Sequence, residues 1–151
     1  MIRRTALTAL AAAAAASVLW SAELRATSEP FEAPTAGTWQ IDQIDGAPTI
    51  PSFEGRLPHL TLTEDGRIAG SSGCNRFMGQ ITVEADARVE IGPLASTMMA
   101  CSDPLMAQEQ ALFAALESAQ AAGLVSEGVL QMLSGGRVVL RGTPIPDPDA
   151  E

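Results

Sequence analysis

Between residues 37 and 142 the chain switches from apolar to polar at every second position, in runs too short for helices. Trp39 and Ile41 alternate with Gln40 and Asp42, and Leu60 and Leu62 with His59, Thr61 and Thr63. Ile81 and Val83 alternate with Thr82 and Glu84, and Val89 and Ile91 with Arg88 and Glu90. Successive side chains of a strand point to opposite faces, so this period describes strands with one dry and one wet face. An antiparallel sheet meets that condition; a parallel one, covered on both faces, does not. The segments Glu64-Asp65-Gly66 and Ala85-Asp86-Ala87 separate paired runs and read as hairpin turns. Further strands are expected at 123–125, 129–133 and 137–141, divided by Ser-Glu-Gly and Ser-Gly-Gly. In the last of them Val138 and Leu140 should face one way, Arg137 and Arg141 the other. About eight short strands in a stretch of this length imply a sheet curled towards a barrel.

One segment breaks the alternation. From Asp103 to about Gln120 the apolar residues Leu105, Leu112, Phe113 and Leu116 fall within about 100° of arc at helical spacing. Asp103 is placed to cap this helix, Pro104 suits its first position, and Gly123 offers a stop. Neither a one-faced helix nor a one-faced sheet can hide its own apolar side, so the two must pack together. The expected fold is therefore α+β: a curled, barrel-like antiparallel sheet with one packed α-helix.

Glu109 sits in the middle of the helix's apolar arc. A carboxylate facing a core costs several kcal/mol, order of magnitude, unless it is hydrogen-bonded or paired. Either Glu109 reaches water at a rim, or it meets donors from the loop around Asn75-Arg76 or from Thr97. The pattern alone leaves both open. His59, on the polar side of its strand, is expected to be solvated.

The flanks differ from the domain. Arg3 and Arg4 precede a charge-free run from Thr5 to Trp20, which reads as a signal peptide over residues 1–26. The run is short for a membrane-spanning helix, and no Cys follows it to carry a lipid. Residues 27–36 are expected to form a flexible linker, and residues 143–151, with three prolines and three acids, a disordered tail. The chain's 9 cations, all Arg, face 18 acids, for a net charge of −9. Without residues 1–26 the balance is 6 against 17, a net of −11. No basic stripe exists to neutralise phosphates, which argues against nucleic acid, and the net charge disfavours anionic membranes.

Cys74 and Cys101 are the chain's only cysteines, 27 positions apart. Each could be a nucleophile, a metal ligand or half of a staple. Structural zinc wants four nitrogen or sulfur ligands, and two Cys with the single His59 fall short. A nucleophilic Cys or Ser needs a base, again only His59; no G-x-S-x-G elbow or phosphate-binding glycine loop is present. An even count in an exported chain favours a disulfide between Cys74 and Cys101. No metal, no cofactor and no catalytic residues are expected.

The order of fragments is itself informative. Gly73, Cys74 and Asn75, then Gly79, then Thr97, Met99, Ala100 and Cys101, then a helix carrying Glu109, resembles the META domain (HslJ-like) family over about residues 37–142. The resemblance implies a compact α+β domain in the bacterial cell envelope, with links to heat shock, drug tolerance and, in parasites, virulence. It supplies no catalytic residues, so Asn75, Arg76, Thr97 and Glu109 enter as structural polar positions. The expectation is a non-enzymatic periplasmic or secreted monomer with a binding or stress-protective role, its partner another envelope protein. An inhibitor of an envelope enzyme, inserting the Ser-Glu-Gly turn or the tail, is the alternative; a carboxylate-based hydrolase comes third.

Overall fold

A computed structural model describes residues 31–149; the expected signal peptide and the first part of the linker lie outside that range. The chain forms β1 (Gly37–Ile44), β2 (Ala47–Pro48), β3 (His59–Leu62), β4 (Arg67–Ser71), β5 (Arg76–Val83), β6 (Val89–Ile91), β7 (Ala95–Ser96), α1 (Asp103–Ser118), β8 (Ala121–Leu124), β9 (Leu130–Ser134) and β10 (Arg137–Ile145). The fold is α+β, as the periodicity predicts.

All strand pairs are antiparallel, in the order β6-β5-β4-β3-β1-β10-β9-β8, with the two-residue strands β2 and β7 appended to β1 and β5. The sheet curls until its two ends meet. Val89 N–H donates to the Gln120 carbonyl and Ala122 N–H to that of Ala87, both at 2.9 Å, closing a seam between β6 and β8. Two bulges, between Ile41 and Gln43 in β1 and between Val138 and Leu140 in β10, bend the middle strands.

The bulge in β10 corrects the expected alternation. Val138 is exposed, whereas Val139 and Leu140 are both buried. An extra residue in one strand turns consecutive side chains to the same face, and this one adds a valine to the core. The interior is filled by Trp39, Ile41, Leu60, Ile68, Phe77, Leu130, Met132 and Leu140 from the sheet and Leu112 and Leu116 from α1. Burying each of those two helix leucines contributes about 2 kcal/mol. Phe113 at the edge of the arc packs edge-on against Phe77, with ring centroids 5.8 Å apart.

The helix ends differ from expectation by a shift at each side. Ser102, not Asp103, is the N-cap, and its hydroxyl makes no cap bond. The C-terminus falls at Ser118, and Gly123 lies inside β8. No glycine stops the helix. The Gln120 N–H is taken by the Leu133 carbonyl and its carbonyl by Val89, so sheet pairing claims this backbone before a further helical turn can.

Both flanks are more ordered than their composition predicts. Within the expected linker, Glu32 exchanges two backbone hydrogen bonds with Leu124, at 3.2 and 2.7 Å. These satisfy groups on the open edge of β8, which would otherwise be a liability. The approach is possible because Gly123 has no side chain: a β-carbon there would lie 2.5 Å from the Phe31 ring. Within the expected disordered tail, Thr143, Pro144 and Ile145 complete β10 by pairing with Gln40, Trp39 and Thr38. Beyond Gly142 the strand β9 no longer accompanies β10, and a strand with one open side accepts proline.

Candidate functional site

The polar cluster is built where β4 gives way to β5 and where the segment after β7 enters α1. Ser72 to Cys74 form the corner between the strands. Gly73 adopts a φ of 92°, a left-handed conformation that glycine takes without a steric penalty. The Ser72 hydroxyl accepts from the N–H groups of Cys74 and Asn75, at 3.1 and 2.9 Å, which folds the corner tightly.

Asn75 is the hub. Its side-chain N–H₂ donates to Glu109 Oε1 at 3.0 Å and to the Met99 carbonyl at 3.2 Å. Its Oδ1 accepts from Thr97 Oγ1 at 2.9 Å and from the Met99 N–H at 2.7 Å. An Asn side chain can make four hydrogen bonds, and all four are made. Its main-chain N–H also donates to Glu109 Oε2, at 3.1 Å. The same oxygen receives the Ser72 hydroxyl at 2.5 Å.

Glu109 is therefore buried, 8% exposed, and hydrogen-bonded rather than paired with a cation. Of the two readings its position allows, the structure has the inward one. The donors are Asn75 and Ser72; Thr97 acts only through Asn75, and the Arg76 side chain takes no part. The disulfide expected between Cys74 and Cys101 is formed, with a Cα–Cα distance of 6.0 Å. It joins the same corner to the residue that precedes the N-cap of α1. Every buried side-chain nitrogen or oxygen among the described residues has a partner. No three His, Cys, Asp or Glu among them are grouped to hold a metal.

Over this cluster opens a cleft of about 940 Å³. The disulfide and Gly73 lie in its lining, Ile50, Phe53 and Leu57 come from the loop between β2 and β3, and Met99 and Leu105 from the approach to α1. Phe53 is fully exposed, and Ile50 and Met99 are also exposed. Gln108 holds the loop in place, as the pattern of α1 gave no reason to expect. Its Oε1 accepts from Ile50 N–H at 2.7 Å, and its Nε2 lies within bonding distance of the carbonyls of Ser72 and Ile50, at 3.0 and 3.1 Å.

His59 and Arg76 also line the cleft. His59 corrects the solvated state expected of it: it is 7% exposed, and its Nε2 lies 3.3 Å from Asp149 Oδ2. Arg76 points out of the polar cluster and binds the other oxygen of Asp149 at 2.8 Å. The Arg76 hydrogen bond, with a smaller contribution from His59, holds the Asp149 carboxyl below the usual carboxylate range despite its partial desolvation. Nothing near His59 or Arg76 in sequence announces this contact. The acid comes from the far end of the chain, so only the closed fold brings it there.

The sequence profile described as META domain matches residues 32–143. Among solved structures, the chain is similar to one titled as the NMR structure of a protein from Burkholderia xenovorans. The two are 28% identical, with a TM-score of 0.59, over 72% of this chain and 81% of the other. A second NMR structure, 22% identical with a TM-score of 0.56 over 72% of this chain and 89% of the other, shares the fold. No curated protein sequence matches the chain.

Proposed function

The chain belongs to the META domain family, and from that premise we propose that it is a non-enzymatic binding module of the bacterial cell envelope, exported to the periplasm or secreted, with a stress-protective role. One observation carries the reading. The polar groups of Ser72, Asn75, Thr97 and Glu109 are spent on one another, while apolar side chains at Ile50, Phe53 and Met99 stand exposed around the cleft above them. Catalysis needs polar atoms free to meet a substrate; recognition of a partner needs apolar surface on a rigid frame. The disulfide supports an oxidising compartment, and no helix among the described residues is long and apolar enough to cross a membrane.

An inhibitor of an envelope enzyme is the second reading. It draws support from the Ser126–Gly128 turn, where the Trp39 indole N–H grips the Gly128 carbonyl at 2.9 Å. A turn held in one shape binds at lower entropic cost. A hydrolase working through carboxylates is less well supported. The acids whose ionisation is displaced, Asp65, Asp86 and Asp149, all lie below their ordinary value, whereas a general acid is raised.

Mild crosslinking in envelope extract, with wild type and Phe53→Ser in parallel, tests the assignment. A protein captured by wild type and lost with Phe53→Ser is expected. A single stoichiometric enzyme whose activity falls on capture moves the assignment to inhibitor. Turnover of an envelope substrate by the purified chain overturns it.

A further inference from the structure

The chain is acidic overall, yet its cleft collects two Arg and the only His. Arg56 is matched by Glu54, two residues away on the same loop, at 3.0 Å. Such a pair forms locally and says little. Arg76 and His59 are matched by one carboxylate from 73 and 90 residues away, carried on Pro146-Asp147-Pro148-Asp149 beyond the last strand. The nitrogen that His59 turns towards it belongs to a side chain only 8% exposed. A buried imidazole and a guanidinium converging on one carboxylate make a formed anion position at the wall of an apolar cleft.

We infer that the cleft binds an extended peptide segment of a partner protein that carries a carboxylate beside apolar side chains, and that Asp149 of this chain occupies the anion position in cis. The inference rests on the binding-module reading and names the partner's chemistry. Three features favour a peptide. The carboxylate now seated there belongs to a proline-rich polypeptide segment, which is extended and loses little entropy on docking. Ile50, Phe53, Leu57, Met99 and Leu105 offer apolar contact next to the anion position; methionine in particular adapts its shape to varied side chains. The net charge of −9 repels an anionic membrane but leaves this local positive wall for a single acid.

A tethered tail competes at an effective concentration of order mM. A partner therefore displaces Asp149 only by adding apolar contacts to its own carboxylate. The tail thus acts as a gate, rejecting acids that lack an apolar neighbour.

A fluorescent peptide with the sequence of residues 143–151, TPIPDPDAE, is titrated into the protein while anisotropy is followed. Asp149→Ala should bind it at least tenfold more tightly than wild type, because the cis competitor is gone. Adding Arg76→Ala to Asp149→Ala should abolish that gain; Arg76 has a largely exposed side chain, and circular dichroism checks that the fold is kept. Phe53→Ser in the Asp149→Ala background should weaken binding several-fold. Equal affinity for wild type and Asp149→Ala, or no binding to either with the fold intact, overturns the inference. So does Arg76-dependent binding of laurate without binding of the peptide, which would assign the position to a lipid carboxylate. The binding-module reading fails separately, if the crosslinked partner is absent or indifferent to Phe53→Ser.

Discussion

Asn75 and Glu109, 34 residues apart, meet at two points: the Asn75 side chain donates to one carboxylate oxygen and its main-chain N–H to the other, at 3.0 and 3.1 Å. The pairing fixes the rotation of α1 over the strand corner as well as its distance. With the Ser72 hydroxyl, three donors depend on this one acid. Glu109→Ala should cost about 3 kcal/mol or more, because those donors stay buried without an acceptor. Urea unfolding of Glu109→Ala, Asn75→Ala and the double variant measures it. Strong non-additivity is expected, and a loss below about 0.5 kcal/mol for Glu109→Ala would mean that water replaces the carboxylate.

The Cys74–Cys101 bond closes a loop across a separation of 27 residues. In the chain-entropy account it contributes about 3.5 kcal/mol. Cys101→Ser should lose that amount in oxidising buffer, and wild type should fall to the same level under reductant. Alkylation of the non-reduced protein, read by mass spectrometry, should label neither cysteine; two labelled thiols contradict the staple.

Gly70 lies opposite Leu60 in the β3–β4 ladder. A β-carbon on it would sit 2.1 Å from the His59 carbonyl oxygen. Gly70→Ala must therefore push the strands apart, at an expected cost of about 3 kcal/mol. Gly46→Ala is the control. It has no atom within 4 Å of the new carbon and only a left-handed φ of 79° to contend with, for about 1 kcal/mol. Thermal unfolding of the two variants separates close approach from conformation; equal losses would refute the steric argument.

The Asp149 contact should respond to acid in one direction. Its carboxyl is held below the ordinary 3.8, chiefly by Arg76. A depressed folded value means that the contact stabilises fully above the unfolded value and is lost as pH falls through the lower, folded one. The tail should thus stay docked at pH 3.8 and release below it, and Arg76→Ala should move the release upwards. Chemical shifts of the His59 ring and the Asp149 amide report the midpoint. A midpoint unmoved by Arg76→Ala would show that another group holds the tail.

The Thr63–Arg67 and Glu84–Arg88 hairpins, the apolar arc of α1 and the pairing of the two cysteines were all legible in the residues. The first two follow from local geometry, because alternate strand side chains oppose each other and helical ones recur every 3.6 residues. The cysteines were legible because an even pair in an exported chain has one partner available. Val139 was misjudged because a bulge depends on the neighbouring strand. The end of α1 was misjudged because Leu133 and Val89 compete for the Gln120 backbone. The expected tether at Glu32 and the expected disorder at Thr143 failed for a related reason: open strand edges recruit whatever backbone can reach them.

From its sequence by itself this protein has an antiparallel sheet wet on one side, a single covering helix and a sulfur bridge between them. Those properties need only the covalent geometry of each segment and the separation of oil from water. The occupant of each polar position was decided by tertiary structure. Glu109 pointed inward in either case, but only closure of the sheet brought it Asn75 and Ser72 instead of water. His59 was turned from a solvated imidazole into a buried one by an acid 90 positions away. A side chain's facing is set within a few residues, whereas its partner is set by the packing of the whole chain.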